Sequence, residues 1–181
     1  MITYISILRG INVSGHKMIK MDALKKMFSD LKFFNIKTFI QSGNIIFQSK
    51  QIETEKISKT ISTNIEKVFG FDVPVITLTE SELDNVINQN PFLKDKTLDS
   101  CSFHITFLSE KPTKQNVEKL NEVGLKNEKF AIIDRTIYLY CPDSYSNSKL
   151  TNNFLENKLK VIAPSRNWKT TKQLFKLASE I

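Results

Sequence analysis

The order in which apolar patterns follow one another constrains this chain more than any single motif. Tyr4-Ile5-Ser6-Ile7-Leu8 is an apolar run of strand length, and it stops at a loop from Arg9 to Gly15. Met21, Leu24, Met27, Phe28 and Leu31 then recur at helical spacing with lysines between them. Residues 36–40 and 45–48 read as strands joined by the polar turn Gln41-Ser42-Gly43-Asn44. Ile57, Ile61, Ile65 and Val68 mark a second helix, with Gly70 just past its end as a helix stop. Residues 73–78 make a further strand, and Pro74 within it argues for a sheet edge, because proline cannot donate to a ladder. Thr79-Glu80-Ser81-Glu82 has capping-box spacing, so a short helix is expected from there to about Gln89. Residues 91–100 read as a linker.

The pattern then restarts. Phe103, Ile105 and Phe107 alternate as in a strand, and Val117, Leu120 and Val123 form a helix ending before Gly124. Residues 130–133 and 136–140 pair across Asp134-Arg135. Leu150, Phe154, Leu155 and Leu159 give another helix, Val161-Ile162-Ala163 a short last strand, and Trp168, Thr171, Leu174, Phe175 and Ala178 a C-terminal helix. The order β-α-β-β-α-β thus occurs twice without a repeat in sequence. It is the order of the split β-α-β unit. The expected class is α+β: two ferredoxin-like (alpha-beta plait) subdomains with antiparallel sheets, residues 1–90 including a linking helix and residues 91–181 including a C-terminal one.

That topology gives the QSGN turn a neighbour. With strand order 4-1-3-2, the end of strand one lies beside the turn between strands two and three. Arg9 and Asn12 therefore meet Gln41, Ser42, Gly43 and Asn44 at one corner. A guanidinium, amides, a hydroxyl and glycine backbone amides suit a phosphate or carboxylate. The same residue types also tie loops together without any ligand. In the second half the same logic places Lys149, at the start of a helix with Ser148, near Arg166, Asn167 and Trp168. This is either a second basic corner or a helix cap by Ser148 or Ser165 beside a core tryptophan. Cys101 and Cys141 are expected as reduced, buried neighbours in the second sheet.

Charge bounds the partners. The 181 residues carry a formal net charge of +7, with 26 basic and 19 acidic side chains. Residues 1–90 hold 11 basic and 9 acidic groups and residues 91–181 hold 15 and 10, so the halves carry +2 and +5. The excess, mostly from Lys149 onward, favours an anionic partner, although a solubilising lysine surface has the same composition. No apolar run approaches the ~18 residues of a membrane span, so no membrane partner is expected. MITYISILRG lacks the basic start and cleavage site of a secretory signal, which points to the cytoplasm. Two cysteines and two histidines at unrelated spacings form no metal motif.

Taken in order, Leu8-Arg9-Gly10-Ile11-Asn12-Val13, Gln41-Ser42-Gly43-Asn44, Asn90-Pro91-Phe92, Ser148-Lys149-Leu150 and Arg166-Asn167-Trp168-Lys169-Thr170 resemble the bacterial domain-of-unknown-function family numbered 1697. The resemblance runs over nearly the whole chain. It implies two alpha-beta-plait subdomains and no activity. One departure is Pro164-Ser165, where the family tends to have a threonine. Ser165 keeps a hydroxyl there, and Pro164 is expected to shorten the last strand.

Three functional classes stay open. The first is a non-catalytic binder of an anionic small molecule, nucleotide or nucleic acid, although no strand carries the basic and aromatic pattern of an RNA-recognition motif. The second is an enzyme using the Arg9 corner. Ser42 is its only tempting nucleophile and lacks a G-x-S-x-G elbow, no paired carboxylates are positioned, and the absence of phosphate-loop or dinucleotide motifs leaves no cofactor expected. The third is a monomeric or homodimeric interaction module using a sheet edge or face.

Overall fold

The computed structural model describes all 181 residues, Met1–Ile181. Each half begins with a buried strand. β1 (Ile2–Leu8) is followed by α1 (Met21–Asp30), β2 (Phe34–Phe39), β3 (Asn44–Ser49), α2 (Thr54–Phe69), β4 (Val75–Thr79) and α3 (Glu80–Asn88). The second series is β5 (Phe103–Phe107), α4 (Lys114–Asn121), β6 (Lys129–Ile133), β7 (Thr136–Tyr140), α5 (Asn152–Leu159), β8 (Ser165–Asn167) and α6 (Trp168–Ser179). The strands form two four-stranded sheets in the orders β2-β3-β1-β4 and β6-β7-β5-β8, with every pairing antiparallel. The chain divides into two compact units, Met1–Asn85 with Gln173–Ile181, and Val86–Lys172. No helix is long and apolar enough to cross a membrane.

In the first unit, α1 and α2 lay Leu24, Phe28, Ile57, Ile61 and Ile65 on the face of the sheet that carries Tyr4, Leu8, Ile45 and Phe47. The aromatic centre is dense: Phe47 meets Phe33, Phe28 and Tyr4 at ring-centroid distances of 4.6, 5.2 and 5.8 Å. α2 ends on Gly70 in the left-handed region at φ 74°, and Pro74 leads into an edge strand, β4. The capping box is realised reciprocally. The Glu82 amide donates to Thr79 Oγ1 (3.1 Å), and the Thr79 amide donates to Glu82 Oε2 (2.8 Å).

In the second unit, Leu120, Leu155 and Leu159 cover Ile137, Leu139 and Cys141. Burial pushes the Tyr138 hydroxyl up to about 12, and this hydroxyl donates to the Val86 carbonyl at 2.9 Å. The two units repeat details that the sequence does not. Leu8 N–H donates to the Gly43 carbonyl (2.8 Å), as Leu108 N–H does to Arg135 (2.9 Å). Ser6 and Thr77 share a hydroxyl bond across β1 and β4 (2.8 Å), as Thr106 and Ser165 do across β5 and β8 (2.6 Å).

Three expectations need correction. The last strand is Ser165–Asn167, not residues 161–163. Pro164 has no N–H to give, so the ladder to β5 starts one residue later; the Pro164 carbonyl accepts from Phe107 N–H, and Ile162 exchanges bonds with Ser109, accepting from its N–H and donating to its Oγ. α5 begins at Asn152 behind the cap Thr151, so Ser148-Lys149 precedes the helix instead of opening it. Cys141 is buried, but Cys101 is exposed, because it lies in the single helical turn Ser100–Ser102 ahead of β5.

His104 supplies a pH dependence. It stacks on Tyr145 (4.6 Å between ring centroids, 19° between planes), and burial holds its imidazole below the usual range. A depressed histidine pKa means that the unfolded chain takes up the proton first. Its contribution to stability is therefore present above the unfolded value of about 6.5 and is lost as pH falls below it. Between pH 7 and pH 5 the wild type should lose more stability in urea titrations than His104→Gln. Equal losses would refute the assignment.

Candidate functional site

The corner anticipated between β1 and the β2–β3 turn is assembled, and its bonds show how. Beyond the Leu8–Gly43 backbone bond, Asn12 Nδ2 donates to the carbonyls of Gln41 (2.8 Å) and Ile19 (3.0 Å), while Asn12 Oδ1 accepts from Ile19 N–H (2.8 Å). Asn44 is fully buried, and its Nδ2 donates to the Phe39 carbonyl (3.1 Å) and to Ser42 Oγ (3.0 Å). Gly43 packs so tightly that a Cβ there would lie 2.7 Å from Leu8 Cβ. Asn12, Gly43 and Asn44 therefore hold the corner together. Arg9 and Ser42 are half-buried and Gln41 is exposed, so these three present side chains at its surface. His16 closes a turn by donating its N–H to the Val13 carbonyl (2.9 Å).

The residues of the second corner have separate employments. Lys149 Nζ donates to the Gly124 carbonyl (2.8 Å), and its N–H donates to Glu128 Oε1 (3.1 Å). Beside it lies a hollow of about 260 Å³ walled by Lys126, Glu128, Asp143 and Ser148, with no residue from β8. Arg166 is buried in β8 opposite Ile105, and its guanidinium donates to the Ser165 carbonyl (2.8 Å). Asn167 caps α6 by accepting from Thr170 N–H (2.7 Å). Trp168 is 5 % exposed, set edge-on to Phe103 at 6.3 Å, with Lys172 Nζ 5.8 Å above its ring. The helix caps here are thus Thr151 and Asn167, not Ser148 or Ser165. Asn90 caps the turn Pro91–Lys94 by accepting from Phe92 N–H (3.0 Å), which leaves its Nδ2 buried without a partner.

A larger hollow lies elsewhere, wholly within the first unit. It encloses about 820 Å³ and is bounded by the end of α1, the start of the edge strand β2, the end of β3 and the outer side of α2. Lys32, Lys50, Lys56 and Lys59 stand around it, Phe33, Phe34 and Ile57 supply apolar wall, and none of its lining residues is acidic. Lys56 also pairs with Glu53 at 2.7 Å, an exposed contact worth at most about 1 kcal/mol. Lys32 (φ 63°) and Asn35 (φ 51°) take left-handed backbone on either side of the phenylalanines, and the β2–β3 register shifts between Phe34 and Lys37. The sequence reading missed this site because its lysines come from three separated segments, and the net charge pointed to the other half. The one legible signal is Lys56 and Lys59 at helical spacing on the polar side of α2. Four ammonium groups around one space attract anions electrostatically, and lysine binds phosphates as a point charge. No group of three or more His, Cys, Asp or Glu side chains is placed to hold a metal ion.

The model of the family described as "Protein of unknown function (DUF1697)" matches residues 1–138, which include the Arg9 corner and the lysine-lined hollow. Among solved structures, this chain is similar to conserved bacterial protein SP0830 from Streptococcus pneumoniae. The similarity has a TM-score of 0.73 at 19 % identity and covers 98 % of each chain. At that identity it speaks to the fold alone. No curated protein matches. The family match takes in more than half of the chain, and the protein belongs to the DUF1697 family.

Proposed function

We propose that the protein is a non-catalytic binder of an anionic ligand, built on two ferredoxin-like (alpha-beta plait) subdomains encoded by residues 1–90 and 91–181. The subdomain reading is supported by the strand orders β2-β3-β1-β4 and β6-β7-β5-β8 combined with β-α-β-β-α-β succession in each half. The observation that carries the binding reading is the hollow of about 820 Å³ with four lysines and no carboxylate in its wall. Like charges gathered around one space repel, and a bound anion offsets that repulsion. At the far end of the β2–β3 hairpin from this hollow, Arg9, Gln41 and Ser42 are the proposed contacts of a separate corner, with Asn12, Gly43 and Asn44 as their support. Lys149, Arg166 and Asn167 serve as framework, since each makes a local hydrogen bond, and Trp168 serves as a buried packing residue.

The test is binding of inorganic polyphosphate. Wild type should bind with an affinity that falls steeply with salt. The double variant Lys50→Glu/Lys59→Glu changes two exposed side chains and should bind at least roughly tenfold more weakly, because each lost charge contact is worth on the order of 1 kcal/mol. Equal affinity in the double variant would remove the hollow from consideration. A wild type that ignores polyphosphate at low salt would end the anion-binding reading.

A further inference from the structure

The wall of the hollow carries more than charge. Phe33 is locked among other rings, 4.6 Å from Phe47 and 5.6 Å from Phe28, and forms a rigid part of the surface. Its neighbour Phe34 is 46 % exposed and borders the same space as the four lysines. Successive residues on a strand point to opposite sides, but β2 begins only at Phe34, so Phe33 lies outside the strand and both phenylalanines border the one hollow. The strand that carries Phe34 is the outermost of its sheet, so no further strand covers it.

Resting on the anion-binding reading, we infer that the ligand of this hollow is single-stranded nucleic acid, with phosphates on Lys32, Lys50, Lys56 and Lys59 and a base stacked on Phe34. Two features select this class. Lysines without arginines suit a repeating backbone charge better than bidentate recognition of one fixed phosphate group. An exposed aromatic face beside a basic groove is the arrangement by which single strands are held without base-edge readout, since every base offers a π-face. A space of about 820 Å³ also exceeds the needs of a lone phosphate.

Fluorescence anisotropy with short oligothymidylate, an abasic strand of the same length, a duplex of the same length and free thymidine monophosphate tests the inference. Wild type should prefer oligothymidylate over all three. Phe34→Ala should weaken oligothymidylate binding about tenfold and leave the abasic strand unaffected. Lys50→Gln should weaken both and lower the salt slope by about one. Phe34 is exposed, so truncating it leaves the packed rings in place, and an unchanged thermal midpoint checks this. Equal binding of oligothymidylate and abasic strand, or no effect of Phe34→Ala, would overturn base stacking while leaving anion binding intact. Tighter binding of the duplex or of the free nucleotide would overturn the single-strand assignment. Failure to bind any of these, or polyphosphate, would overturn both readings.

Discussion

Gly43→Ala should lower the stability of the first unit by about 2–5 kcal/mol. Two costs combine. Gly43 sits at φ +80°, where an L side chain is strained by roughly 1–2 kcal/mol. The new methyl would also lie 2.7 Å from Leu8 Cβ and 2.9 and 3.0 Å from Ile11 Cδ1 and Cγ1. Leu8 Cβ is fixed to a buried strand and Ile11 is 1 % exposed, so relief requires backbone movement, an overpacking cost of about 1–3 kcal/mol. The same shift would stretch the Leu8–Gly43 bond that joins β1 to the turn. Gly15→Ala is the control: it has nearly the same φ (+77°) but nothing within 4 Å of the added Cβ, so it should lose only the strain. In urea titrations the first variant should lose clearly more than the second, with the thermal midpoint falling roughly 2–4 °C per kcal/mol. Equal losses would show that the turn yields freely and that the close approach carries no weight.

Asn12→Ala is expected to cost about 2–4 kcal/mol. One side chain makes three hydrogen bonds, to Ile19 N–H, the Ile19 carbonyl and the Gln41 carbonyl. Each contributes roughly 0.5–1.5 kcal/mol net, and the two Ile19 groups left behind are partly buried and lose their partner. Asn12 also lies at φ 53°, a region asparagine tolerates better than alanine. Asn12→Asp keeps the acceptor for Ile19 N–H but sets a carboxylate oxygen against the Ile19 and Gln41 carbonyls, so it should also lower stability clearly. This series separates the two uses of the corner. A large stability loss, with polyphosphate affinity kept in the folded fraction, identifies Asn12 as a tie between loops. A loss of affinity with stability unchanged would make it a ligand contact and return the corner to the centre of the site.

Much of the first corner was legible because it follows from chain order. Once residues 36–40 and 45–48 pair as a hairpin and β1 runs beside the second of them, the end of β1 must meet the turn, as the Leu8–Gly43 and Asn12–Gln41 bonds show. Which of its residues face outward was not legible. Asn12, Ser42 and Asn44 are the same polar types as Gln41, and only the positions of the Ile19, Gln41 and Phe39 carbonyls decide that Asn12 and Asn44 turn inward. Chain order also groups Lys149 with Arg166, by setting the start of a helix near the end of the last strand. What each side chain bonds to was not legible: Lys149 meets the Gly124 carbonyl and Glu128, and Arg166, in the three-residue strand β8, meets the Ser165 carbonyl.

By itself the sequence determined the succession of strands and helices, the helix stop at Gly70, the capping box at Thr79 and Glu82, and the tight turn at Asp134-Arg135. These are local matters of period and backbone preference, settled within a few residues. Tertiary structure alone decided that Cys101 stays exposed while Cys141 is buried, and that Lys32, Lys50 and Lys59 share one hollow with Phe34. Charge and exposure are properties of position in space. Residues 32–34, 50 and 56–59 become neighbours only because β3 returns along β2 and α2 then folds back over the same sheet.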